Sequence, residues 1–453
     1  MEQWGGRPGR WAGLLCTLVG MALLLAGCNP VPGKPSLPVT AGQQPLNASV
    51  TPQPPPAVAV VQPPAARPLA GPAAIRPQPE PHPGRHPTLE DFWAGSAHFV
   101  VEVVNTGLPM GESETLVMSN GELFSYVHAS DRSAGTRDQC GNPVAFPGCT
   151  VIYRSRDGGH TFAHDNPPVC QFACRQCPCT SQVDHIEQQQ YPRVVVAGDT
   201  LVTAYEYQGR VMLRRSADGL NWSAPEHVGD TLLWHLWYAD CPADTRIGDH
   251  PFVTFNYECM AGGPPGLWVE DGLLYVFVGL GQNPGSMGCY VGPVDAPGDR
   301  FRRCTANPLF VGAAGYGPEL RREYAANPAF DFRTISSAEV VRIGPGDAAG
   351  GPGEDVRYYM LYEGVRGPGP GDPGDTQFGL GLARSLTNRI DGPWEKFPAN
   401  PILVDLPGNI GLGHADLIVL DGRTILYTSL NGVTRSRLAL VWSSPSTQPS
   451  GPQ

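Results

Sequence analysis

Five ionisable residues stand at matching places in this 453-residue chain. Glu114 precedes Leu116-Val117-Met118, Arg193 precedes Val194-Val195-Val196, and Glu339 precedes Val340-Val341. His414 and Asp416 lead into Leu417-Ile418-Val419. Ionisable groups at the head of apolar runs are costly to bury unless they pair or do chemistry. Two carboxyls brought together can divide acid–base work, one holding a proton and the other a charge. Glu339 is the preferred general acid: Ile335 to Ala338 precede it, Val340-Val341 follow, and apolar neighbours raise a carboxyl pKa. Glu114 or Asp416 is the expected partner carboxylate. Arg193 would hold an anionic or hydroxyl-rich substrate through its fork of donors. Glu112 lies at the same level, and before Leu267-Trp268-Val269 the matching place is Gly266, which offers no side chain.

These residues work together only if the runs that carry them lie side by side. Each run is an apolar strand, then a glycine turn, then an aromatic-rich strand. The turn glycines are Gly121, Gly198, Gly272, Gly344 and Gly422, separated by 72 to 78 residues. A near-constant period of that length predicts radial repetition of a β-sheet unit. The expected fold is an all-β, five-bladed β-propeller over 95–442, its first strands lining a central channel. The runner-up is a six-bladed, sialidase-like ring, with a missed unit within 229–262. A strand near Phe99 to Val104 is expected to complete the last blade and cover its edge. Residues distant in sequence but at equal height would then converge at one end of the channel.

Two motifs bear on family. Ser155-Arg156-Asp157-Gly158-Gly159-His160-Thr161-Phe162, and the shorter Ser216-Ala217-Asp218-Gly219-Leu220-Asn221-Trp222, resemble the Asp box of sialidases. There the Asp caps a turn, Gly takes a positive φ and the aromatic packs between sheets. Leu382-Ala383-Arg384-Ser385, Asp391-Gly392-Pro393-Trp394-Glu395 and Asn400-Pro401-Ile402-Leu403 resemble the outer strand and turn of five-bladed glycoside hydrolases of the arabinanase, β-xylosidase and fructosidase type. Asn307-Pro308-Leu309-Phe310 is a weaker echo, and Gly413-His414 resembles a step that places histidine near an axial cation in arabinanase-type members. The resemblance implies a propeller with carboxylates at the channel mouth. One would act as general acid and another would activate water or attack the sugar carbon. It implies a glycan or oligosaccharide partner. The one cofactor it suggests is a structural calcium, with His414 as candidate metal ligand. The first blade departs from the family's Asp-Pro step, having Ser113-Glu114, and the third has Pro265-Gly266 where an acid is expected.

The termini read differently. Arg7 and Arg10 precede an uncharged stretch, Gly13 to Gly27, too short to span a bilayer core of roughly 20 residues. It ends in Leu25-Ala26-Gly27-Cys28, which resembles the bacterial lipobox. The expectation is a lipoprotein signal over 1–27 and lipidation at Cys28. An anchored, proline-rich stalk over 28–94 and a disordered tail over 443–453 complete the organisation. Residues 29–88 hold 18 prolines and no Phe, Trp or Tyr, too little apolar surface to offset ordering entropy. In an exported chain the ten head cysteines favour disulfides. Cys140 with Cys149, Cys241 with Cys259, and Cys289 with Cys304 are local candidates, and Cys170, Cys174, Cys177 and Cys179 form a cluster open to disulfides or to zinc or copper. A net charge of −11 without a basic stripe argues against nucleic acid. The expected protein is a monomeric, carbohydrate-active lipoprotein of the bacterial envelope, extracytoplasmic and touching membrane only through its lipid. A non-catalytic glycan-binding or protein-binding propeller is the alternative.

Overall fold

A computed structural model describes residues 85–110, 112–129, 149–164, 170–171, 190–207, 210–231, 261–280, 285–312, 329–332, 334–345, 347, 355–366, 377–404 and 415–443. These belong to the second of two compact units, Gln62–Gln453. The signal segment, Cys28 and most of the proline-rich stretch lie outside the described residues. So do His414, Cys140, Cys174, Cys177, Cys179, Cys241 and Cys259.

Five antiparallel sheets form a five-bladed β-propeller. From the inside outward, blade 1 runs Ser113–Val117, Leu123–Ala129, Cys149–Ser155 and Ala163–His164. Blade 2 runs Gln190–Ala197, Thr200–Tyr207, Arg210–Ser216 and Glu226–His227. Blade 3 runs Ala261–Glu270, Leu273–Leu280, Ser286–Pro293 and Arg302–Arg303; blade 4 runs Thr334–Ile343, Arg357–Arg366, Gln377–Ser385 and Trp394–Lys396. Blade 5 takes Asp416–Leu420, Arg423–Thr428 and Ser436–Trp442 from the end of the chain and Ala97–Val103 from its beginning. That last pairing, with Ala97 opposite Trp442, ties the two ends and covers the edge of the final sheet. Inner strands of successive blades pack against one another, and the fifth packs against the first, closing the ring.

The local chemistry explains the repeat. Gly121, Gly198, Gly272 and Gly422 all take positive φ in the hairpin between inner and second strands. In two of these turns the preceding Asp271 and Asp421 are left-handed as well, the Asp-Gly conformation of tight hairpins. Gly344 is not left-handed; its hairpin carries the longer insertion that separates Ile343 from Arg357. Cores lie between blades. Tyr126 and Ile152 of blade 1 meet Val194, Leu201, Tyr205 and Trp222 of blade 2, with Tyr126 edge-on to Trp222. Asp157 accepts from His160 N and Thr161 N at 3.0 Å, holding a turn from which Phe162 reaches Tyr427 of blade 5. Asp218 does the same for Leu220 N and Asn221 N. The two Asn-Pro steps play matching parts. Asn307 bonds both backbone groups of Cys289, and Asn400 both of Leu382, so each side chain substitutes for a strand partner.

Cys289 and Cys304 form a disulfide across the outer strands of blade 3. Helix Leu89–Trp93 falls in the stretch assigned above to the stalk. Thr88 and Asp91 form its capping box, and Leu89 and Phe92 are buried in the core between blades 4 and 5. Five residues among prolines leave no helical period to detect.

Candidate functional site

Three inner strands are irregular at the same level. Register shifts separate Gln190 from Arg193, Gly262 from Gly266, and Ser336 from Glu339. Tyr191 and Ser337 take positive φ, 58° and 54°, within two of these bulges. A bulge bends a strand and re-aims the side chains beyond it. Here it turns Arg193 and Glu339 onto the axis, where Glu114 and Asp416 meet them.

Arg193 is the hub. Its guanidinium is buried and donates to every other blade: Ser113 O at 2.8 Å, Pro265 O at 3.3 Å, Ser337 Oγ at 2.6 Å and Ala415 O at 3.5 Å. Its Nη1 lies 2.5 Å from Glu339 Oε1 and 3.5 Å from Glu114 Oε2. Burial works to lower its pKa, but the charges of Glu339, Glu114 and Asp416 outweigh that and hold it raised. One cation thus joins the ring around its axis.

Three carboxyls crowd this cation. One oxygen each of Glu114, Glu339 and Asp416 lies within 4.8 Å of the others. Asp416 is the most enclosed, and its oxygens accept from Ser113 Oγ at 3.0 Å, Thr115 N at 3.2 Å and Thr115 Oγ1 at 2.6 Å. Burial raises its pKa against those bonds. Glu114 and Glu339 are in hydrogen-bonding reach of each other. Burial raises both, and their mutual charge pushes Glu114 well above the ordinary carboxylate range. Two buried carboxyls in contact retain a proton between them. Glu339, nearer Arg193, is the better placed to carry the charge, and Glu114 the proton. Arg435, buried beside the cluster, is lowered to about 10 by burial.

The third blade adds only backbone. A Cβ on Gly266 would meet Ala338 O at 2.3 Å, so the close approach of blades 3 and 4 leaves no room for the acid expected there. A second layer lies two residues upstream of Glu114 and Arg193. Glu112 Oε2 meets His128 Nδ1 at 2.8 Å, and the His128 ring stands edge-on to Tyr191.

The structure therefore brings together Glu114, Arg193, Glu339 and Asp416, while His414 is outside the described residues. Sequence reasoning missed Ser113, Thr115, Ser337, His128 and Arg435. The alternation Ser113-Glu114-Thr115 carried a signal, since period two sends the hydroxyls to one face and the carboxyl to the other.

No family profile and no curated protein matches the sequence. Among solved structures the chain is similar to an endo-arabinase from Bacteroides thetaiotaomicron, 12% identical, covering 77% of this chain and 99% of that one at a TM-score of 0.40. It is similar to a thermostable family-43 glycoside hydrolase, 14% identical over 77% and 97% at 0.43. An α-L-arabinanase from Cellvibrio cellulosa, complexed with arabinohexaose, is 13% identical over 74% and 93% at 0.40. Identity this low transfers no residue roles.

Proposed function

We propose that this chain is an envelope lipoprotein, held by lipid on Cys28, whose propeller cleaves glycosidic bonds in extracellular glycans. The supporting observation is the axial cluster: Glu114, Glu339 and Asp416 gathered around the buried Arg193, where the blades converge. A structural role does not call for three buried carboxyls, because apolar residues would pack there at less desolvation cost. A carboxyl kept protonated near neutral pH suits a general acid. In this reading Glu114 gives its proton to the leaving oxygen as the bond to the anomeric carbon breaks. Glu339 accepts from Glu114 beforehand and keeps it oriented. Arg193 holds the charge on Glu339, and Asp416 fixes the first inner strand through Ser113 and Thr115. The exchange of roles between Glu114 and Glu339, relative to the expectation from sequence, follows from which of them Arg193 approaches more closely.

One observation favours the alternative of glycan binding without turnover. Glu114 and Glu339 touch, whereas catalytic carboxyl pairs stand about 5–5.5 Å apart in retaining enzymes and about 6.5–9.5 Å in inverting ones. The test is release of new reducing ends from a panel of plant, bacterial and host oligosaccharides by the wild-type protein and by Glu114→Gln. Hydrolysis by the wild type and its loss in the variant support the enzyme. Retention of a glycan without hydrolysis makes the protein a binding module, and no interaction with any glycan sinks both. Intact mass of the membrane-extracted protein checks the anchor: a mature chain starting at Cys28 with acyl groups is expected, and an unmodified terminus elsewhere refutes it.

A further inference from the structure

The second layer, two residues upstream of Glu114 and Arg193, has the composition of a proton acceptor. Glu112 stands one residue ahead of the inner strand of blade 1, and His128 lies on the second strand of the same hairpin. Two bonds join them: His128 N donates to Glu112 O at 2.8 Å, and Nδ1 meets Glu112 Oε2 at 2.8 Å. A carboxylate can only accept, so Nδ1 carries the hydrogen, and it is the tautomer with its lone pair on Nε2 that this contact selects. Only 8% of the His128 side chain is exposed, and Nε2 is buried with no hydrogen-bond partner among the described residues. A buried acceptor left without a bond costs about 1–3 kcal/mol, so its retention asks for a reason. Tyr191, its ring 6.0 Å away, holds a left-handed φ that a bulky residue adopts only when its surroundings impose it. Glu112 is also two residues, one full pleat, from Glu114, so both carboxyls rise from the same face of one strand end.

We infer that His128, oriented by Glu112, is the general base that activates water against a glycoside at the channel mouth. The inference rests on the proposed function. The step is a single displacement. Water's oxygen bonds to the anomeric carbon while one of its protons passes to His128 Nε2. The bond from carbon to leaving oxygen breaks, its electron pair stays on that oxygen, and the oxygen takes the proton of Glu114. The imidazolium so formed is held by the Glu112 carboxylate, which keeps its charge throughout.

The experiment uses the full chain with 4-nitrophenyl and methyl glycosides of pentoses and hexoses. His128→Gln should lower turnover by about 10²–10⁴-fold on both leaving groups, because base assistance is needed whichever group departs. His128→Gly should lose turnover and regain part of it in imidazole buffer, a recovery that repair of packing alone would not produce. Glu112→Gln should fall less than His128→Gln, because the amide oxygen still accepts from Nδ1 but carries no charge. Wild-type turnover with His128→Gln within about twofold of it overturns the base while leaving the function standing. So does a His128→Gly protein that is folded, inactive and indifferent to imidazole. If the wild type hydrolyses no glycoside, the proposed function fails and the base role falls with it.

Discussion

Replacing Glu339 by Gln should change how stability depends on pH more than it changes stability at any one pH. In the folded protein burial raises Glu339 from 4.5 to about 8, opposed by Arg193, and burial also holds Glu114 well above its ordinary value. In the unfolded chain both carboxyls titrate near their ordinary values. Across the window between, the folded protein holds at least one proton that the unfolded chain has released. This contribution is complete below the unfolded pKa and is lost as pH rises through the folded one. One excess proton corresponds to about 1.4 kcal/mol per pH unit, so the window carries on the order of 5 kcal/mol. In Glu339→Gln Glu114 is still raised by burial but no longer by the charge of Glu339, so it ionises more readily against Arg193. Urea unfolding of both proteins at intervals between about pH 5 and pH 8 gives the difference directly. Wild-type stability should decline toward high pH relative to the variant. Parallel curves would show that Glu339 and Glu114 hold no extra proton, and the reasoning about the cluster would be wrong.

Three further outcomes follow from the same contacts. Arg193→Met should cost about 3–5 kcal/mol in chemical unfolding, because it leaves three carboxyls facing one another, and Arg193→Lys should not restore it, since a point charge cannot reach four blades at once. Gly266→Ala should lower the melting temperature, by a stability loss of about 1–3 kcal/mol, through collision of the new methyl with Ala338. Cys289→Ser, in non-reducing buffer, should lose about 3 kcal/mol of the constraint on a loop whose ends are 15 residues apart, and added reductant should then have no further effect at that site.

The architecture was legible because its determinants are local and repeat. A glycine turn between an apolar and an aromatic strand signals one blade, and the near-constant spacing of Gly121, Gly198, Gly272, Gly344 and Gly422 signals a ring. Convergence of Glu114, Arg193, Glu339 and Asp416 followed from height along equivalent strands. What each does there did not follow. The bulges at Tyr191 and Ser337 arise from backbone packing around the axis, and nothing in either residue type announces a left-handed φ. Arg193 looked like a substrate clamp, but its donors are taken up by carbonyls and a hydroxyl of neighbouring blades. The Glu112–His128 pair joins residues 16 apart across a hairpin, a separation with no periodic signature. Gly266 shows the reverse case: its lack of a side chain was visible in the sequence, and its cause, the carbonyl of Ala338, was not.

The claim that the axial cluster is a reaction centre is tested most directly by the leaving-group dependence of Glu114→Gln. Acid assistance matters for a methoxide and little for a 4-nitrophenolate, which departs without a proton. The variant should therefore lose about 10²–10⁴-fold in kcat/KM on the methyl glycoside and retain most of its rate on the 4-nitrophenyl one. Equal loss on both substrates, or loss on neither, would contradict the account.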